Sequence, residues 1–399
     1  MIVEPCHAQS SAGFSGLRKP GFFWYDNTHA LFHLFRKGDL QKVLLTRPPR
    51  MGKSVFCQML GAYVDCKTTP DKFSRLFKGT HIERMQEEDT NAKAKLENLQ
   101  RKCAWLPLVS DWAQRGRPQA EKRRARVHVC LFNPPFPILL PPLLPQTIMA
   151  TIESTNTQAR GSVEDFGAKY DLTGLTVDES DDCVSALRKA IRVAAKANLP
   201  LVITIDEYDH LARSSRDGKE KEIALMRDLF LQLKVNPPHF LFVTGIMPLL
   251  ATELSSATND VVVITHDSEF ADAVGLPQDV VANELHRIAA YHTSGAKDSA
   301  DNSWEAPFLE EMAQFMKEYF NGFRFHQAKK GIKVPAMYNT QQSVAFFRML
   351  TKEGASALDT LHDAQQGLVG DAKMRLNTLL GLFGSGIDTH TQVGEETCQ

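Results

Sequence analysis

Lys42 to Val55 reads KVLLTRPPRMGKSV, and the rest of the chain takes its meaning from this stretch. Val43, Leu44, Leu45 and Thr46 form a short apolar, β-prone run, the pattern of a buried strand. A tight loop with two prolines follows, then Gly52-Lys53-Ser54. Phe56, Met59, Leu60 and Tyr63 then recur at helical spacing. Strand, loop, Gly-Lys-Ser, helix is the layout of a phosphate-binding loop. Backbone N–H groups of such a loop, and of the helix that follows, point at an anion. The nucleotide-binding candidates are therefore Arg47, Arg50, Met51, Gly52, Lys53, Ser54 and Val55. Lys53 would reach the β- and γ-phosphates, and Ser54 would ligate Mg²⁺. Gly52 lets the backbone approach a ligand where a Cβ would clash.

A second run has matching chemistry. Leu201-Val202-Ile203-Thr204-Ile205 is continuous and rich in β-branched residues, as in a strand buried on both faces. It ends in Asp206-Glu207-Tyr208-Asp209. Carboxylates at the end of a buried strand are costly unless a cation or donors meet them. Apolar strand followed by Asp-Glu is the Walker B arrangement. Asp206 would hold the metal, and Glu207 would orient and deprotonate an attacking water. A further strand, His239 to Val243, ends in Thr244, which is either a γ-phosphate sensor or a hydroxyl capping the turn at Gly245.

The loop lacks one standard feature. G-x-x-x-x-G-K-[ST] has glycine where this chain has Arg47. RPPRMGKS followed by IDEYD resembles the AAA-ATPase-like family, whose loop typically reads R-P-R-R-F-G-K-S and whose Walker B reads D-E-Y-D. In that resemblance the missing glycine is the family's own habit. Tyr25-Asp26-Asn27-Thr28 is similar to the family's leading Y-x-D-K-T motif, with Asn27 where lysine is usual. Asn259 to Gly275, Tyr319 to Phe325 and Tyr338 to Val344 resemble later family motifs in the expected order. The resemblance spans about residues 22–82 and 198–350. It implies a P-loop NTPase with ATP and Mg²⁺ as cofactors and a leading segment near the nucleotide base. Similar domains occur fused to restriction-type nucleases and in Crinkler effectors. The resemblance therefore leaves a second function open: a nucleotide-binding switch that turns over little and works with a nuclease or other effector domain from elsewhere.

Composition narrows the class. Lys and Arg number 46 against 47 Asp and Glu, for a formal net charge of −1. That balance argues against a strongly basic nucleic-acid binder. Seven cysteines are scattered without C-x-x-C pairs, as for free thiols in a reducing compartment. The N-terminus has no basic start followed by an apolar run. The most apolar stretch, 131–152, is too dense in proline to form a spanning helix. We expect no membrane segment and an intracellular chain, cytoplasmic or nuclear, with host-cell action if it is effector-like. Partners beyond nucleotide would be another protein or a second copy, with nucleic acid left open but not indicated by the charge.

The fold expected is α/β: a three-layer P-loop sandwich of the additional-strand type with a helical C-terminal lid. Residues 1–20 read as a flexible leader and 21–275 as the NTPase core, with an irregular insertion at about 83–180. Residues 276–383 read as the helical subdomain and 384–399 as a disordered tail. Val127 to Phe132 reads as a weakly alternating strand. The proline-rich run after it fits an extended loop, a partner-binding polyproline segment or an error in the gene model. Val163 to Asp182 reads as loop. Candidates for an additional γ-phosphate cation are Arg47, Arg50, Arg213, Arg216, Arg287 and Arg324.

Overall fold

Parallel strands covered on both faces must be apolar on both, and alternate residues must serve opposite sides. A computed structural model describes residues 7, 13–36, 41–109, 145–209, 219–247, 255–295, 306–319, 323–325 and 336–354. Five parallel strands form the central sheet: β1 (Lys42–Thr46), β2 (Ala104–Val109), β3 (Leu201–Asp206), β4 (Phe240–Gly245) and β5 (Val262–Val263). Their spatial order is β2-β3-β4-β1-β5, so β4 stands between β1 and β3. Val43 and Leu45, with Val202, Phe240 and Phe242, enter one apolar cluster. Leu44, with Ile203, Ile205, Leu241 and Val243, enters the other.

Helices cover each face. The first cluster gathers residues from the helices His29–Arg36, Lys53–Val64 and Pro70–Phe77. The second gathers them from Pro145–Lys169, Cys183–Lys196 and Lys219–Val235. Local chemistry starts these helices where they start. Asp182 caps the 183–196 helix, accepting from the Ser185 N–H at 2.7 Å. Thr69 and then Pro70 open the 70–77 helix. A third apolar cluster lies beyond the sheet. It joins the helices Gln278–Gly295, Ala306–Tyr319 and Thr340–Glu353 to the two-stranded antiparallel ribbon of β6 (Leu276–Pro277) and β7 (Met337–Tyr338).

Four segments differ from the sequence expectations. The strand beside β3 is 104–109, inside the stretch read as an irregular insertion; the predicted strand at 127–132 lies outside the described residues. Pro107 disguises β2, and proline is tolerated there because, among the described residues, β2 has a neighbouring strand on one side only. Residues 163–169, read as loop, continue the helix that begins at Pro145. Within 83–180, read as irregular, stand two further helices, His81–Glu88 and Thr90–Leu99, besides β2. In the leader, Gly13–Leu17 is helical and His7 is buried.

Candidate functional site

In a parallel sheet, ligand chemistry gathers at the carboxyl ends of the strands. Register places three such ends side by side. Leu45 pairs with Thr244 and Thr46 with Gly245, while Ile205 pairs with Val243. Thr46, Thr244 and Asp206 thus share one edge of the sheet, with the loop 47–52 rising from it. Gly52 has φ of 99°, a left-handed conformation that suits glycine, and the helix starts at Lys53.

Backbone carbonyls in a loop need partners, and all five from Arg47 to Met51 have them. Lys53 is buried and its Nζ donates to the carbonyls of Arg47 (3.0 Å) and Pro48 (2.9 Å). The Asn339 side-chain amide donates to the Pro49 carbonyl at 3.1 Å. The Gln341 N–H donates to the Arg50 carbonyl at 3.2 Å. The Met51 carbonyl accepts from the Thr340 hydroxyl and the Gly275 N–H, both at 2.9 Å. Gly275 has φ of 97°, where any other residue is strained, and a Cβ there would also press on the Met51 methyl at 2.7 Å. Met51 itself is buried, while Ser54 is exposed and Val55 half-buried at the start of the helix.

Arg47 is almost wholly buried, and its guanidinium is directed away from solvent. It donates to the carbonyls of Thr46 and Thr265, each at 2.9 Å, and of Phe270 at 2.7 Å. Its other face stacks on Phe325, 3.9 Å from the ring centroid. Burial lowers its pKa to about 9, which leaves it charged at neutral pH. Arg47 therefore ties the loop to residues 265–270. Arg50 has φ of 65°, uncommon for a residue with a Cβ.

At the end of β3, Asp206 is buried and its Oδ1 accepts from the Thr244 hydroxyl at 2.5 Å. The Cys57 thiol, one turn into the loop helix, also hydrogen-bonds Thr244, and burial pushes it well above its usual range. Glu207 is half-buried at φ 54°. The chain then turns back, and the Tyr208 N–H donates to the Thr244 carbonyl at 2.9 Å. Asp209 is fully buried and accepts from the N–H groups of Ile246 (3.1 Å) and Met247 (2.7 Å). The final Asp of the D-E-Y-D run thus braces the turn after β4. The sequence assigned it no role, although its place in the run was the available signal.

Tyr25-Asp26-Asn27-Thr28 is also knitted to the loop's surroundings. The Asn27 amide donates to the Ala273 carbonyl at 2.6 Å, and the Tyr25 hydroxyl to Asp272 at 3.2 Å. Burial favours the neutral form of Asp272, but the His29 imidazole 2.9 Å away outweighs it and keeps the carboxylate below its ordinary range. Of the other arginines considered, Arg287 pairs with Glu284 at 2.6 Å and Arg324 is exposed. Arg213 and Arg216 lie outside the described residues. Among the described residues, no three His, Cys, Asp or Glu side chains converge to hold a metal by themselves, and no helix is long and apolar enough to cross a membrane. A cleft of about 440 Å³ opens at the far end of the sheet, where Leu201 and Phe240 begin their strands.

A parallel five-stranded sheet between helices, with this loop on its carboxyl edge, defines an α/β protein compatible with a P-loop-like sandwich. Residues 10–100 match the family model described as Predicted AAA-ATPase, so the likeness to an AAA-ATPase-like family is shown for that segment and suggests nucleotide binding. The matched segment takes in Tyr25 to Thr28, β1, the loop and its helix, and ends before β2. No curated protein and no solved structure matches the chain.

Proposed function

We propose that this protein is a Mg²⁺-dependent ATPase of the additional-strand type, cleaving the β–γ phosphoanhydride bond. The observation that carries the reading is the placing of the Lys53 loop and the Asp206-Glu207 pair on one sheet edge, with Thr244 on β4 between them and bonded to Asp206. A strand between β1 and β3 is what the additional-strand type requires. The amides of the loop and the first turn of its helix would bind the phosphates. Lys53 would exchange its two loop carbonyls for phosphate oxygens.

The donor set fits magnesium. Ser54 offers an exposed hydroxyl and Asp206 a carboxylate, and this ion takes its remaining ligands from phosphate and water. The bound ion would neutralise charge developing on the phosphate oxygens. Glu207 would take a proton from water as the water oxygen attacks the γ-phosphorus and ADP leaves. Thr244 would hold Asp206 in place and report on the γ-phosphate through it. The helices from 278 onward would act as a lid, since residues 339–341 already touch the loop.

The test is multiple-turnover hydrolysis of ATP by the full chain with magnesium, wild type beside Glu207→Gln. We expect turnover to fall by about 100-fold or more in the variant while ATP still binds. Equal turnover in the two proteins would remove Glu207 from its role. Saturable binding with no wild-type turnover would instead favour the switch module.

A further inference from the structure

Asn339 lies 290 residues downstream of Pro49, yet its amide holds that residue's carbonyl. Together Asn339, Thr340 and Gln341 take up three successive loop carbonyls, of Pro49, Met51 and Arg50. We propose that residues 339–341 are an external clamp that sets the peptide orientation of the phosphate loop, making Asn339 and Thr340 positioning residues for nucleotide binding. This rests on the phosphate-loop reading above and adds residues outside the sheet domain to it.

In a trans peptide the carbonyl and the following N–H point in opposite directions. Anchoring the carbonyls of Pro49, Arg50 and Met51 on the clamp therefore turns the N–H groups of Arg50, Met51 and Gly52 away from it. A loop that binds phosphate needs its amides aimed together at the ligand. Glycines usually give such loops the freedom to reach that geometry. This one has Arg47 and two prolines before Gly52, and Arg50 sits at φ 65°, a conformation uncommon for a residue with a Cβ. Three carbonyl anchors bear on this segment. The clamp is itself secured. Asn339 caps the 340–353 helix, accepting from the Gln342 N–H at 3.2 Å. Further along that helix, Arg348 donates to the His7 carbonyl at 2.9 Å.

Two roles of Asn339 can be separated. Serine caps helices as well as asparagine does, but it is too short to carry an amide to Pro49. Valine in place of Thr340 removes only the hydroxyl, and serine there restores it. We would measure MgATP affinity, thermal midpoint and amide hydrogen exchange of the nucleotide-free 47–53 segment in the full chain. For Asn339→Ser/Thr340→Val we expect affinity to fall about tenfold and exchange in the loop to quicken, with the midpoint little changed. Thr340→Ser should bind and exchange like wild type. Unchanged affinity and unchanged loop exchange in the double variant would overturn the clamp. Should the double variant fail to fold, Thr340→Val beside Thr340→Ser decides on the same readouts. A wild-type chain that binds no MgATP would sink the nucleotide reading, and loop exchange would then decide the clamp by itself.

Discussion

Arg47 occupies the position where a standard phosphate loop has glycine, and its side chain explains why the exchange is tolerated. The guanidinium is bound by three carbonyls and a phenyl ring below the loop, so the space above is left to backbone. Asp209 does similar work at the other acidic run. It is buried and accepts from two N–H groups of the turn after β4. Asp209→Ala would strand both donors and should lower stability by about 1.5–3 kcal/mol, read from urea unfolding. An unchanged unfolding midpoint would contradict the bracing role. The roles proposed for Lys53, Ser54, Asp206 and Glu207 rest on residue type and spacing, because phosphate and magnesium chemistry would constrain both. Asn339 and Thr340 were not legible in that way, since their partners lie far away in sequence.

Among the elements, β1, β3 and β4 could be read directly because strands buried on both faces are continuous apolar runs. β2 could not, because Pro107 interrupts it and charged residues follow. Its neighbour is the loop helix, and one contact there yields a signed prediction. Gly61 sits inside that helix, where alanine ordinarily adds about 1 kcal/mol of stability. Here a Cβ would lie 2.2 Å from the Trp105 ring, which the Thr204 hydroxyl holds at 3.1 Å through the indole N–H. Overpacking of this kind costs about 1–3 kcal/mol. Gly61→Ala should therefore destabilise, and a raised thermal midpoint would show that Trp105 can move aside. In the centre of the sheet, Ile203→Ala should cost about 2–5 kcal/mol in urea unfolding. A loss below 1 kcal/mol would mean that the site collapses around the smaller side chain.

Across the whole molecule, His7 is pinned to the helices 278–295 and 340–353. His7 packs between Phe23 and Phe347, and its Nε2 lies 2.7 Å from the buried Glu284 carboxylate. Nothing in the composition of residues 1–20 announced this, because one buried histidine in a polar stretch leaves no periodic trace. Burial pushes Glu284 up, but its bonds with His7 and Arg287 prevail and hold it below its ordinary 4.5. A carboxyl depressed in the folded state stabilises the fold above its unfolded pKa. That contribution is lost as pH falls through the depressed value. Glu284→Gln should lower the thermal midpoint at neutral pH and flatten its decline below about pH 4.5. Parallel pH curves for the two proteins would remove Glu284 from this role.

The loop, the acidic strand end and the clamp have one common purpose in this account, which is to hold a nucleoside triphosphate. Equilibrium titration of the wild-type chain with MgATP, beside Lys53→Ala, tests that most directly. We predict saturable one-to-one binding by the wild type and none by the variant at the same concentrations. Equal binding by both proteins, or binding by neither, would contradict the central claim.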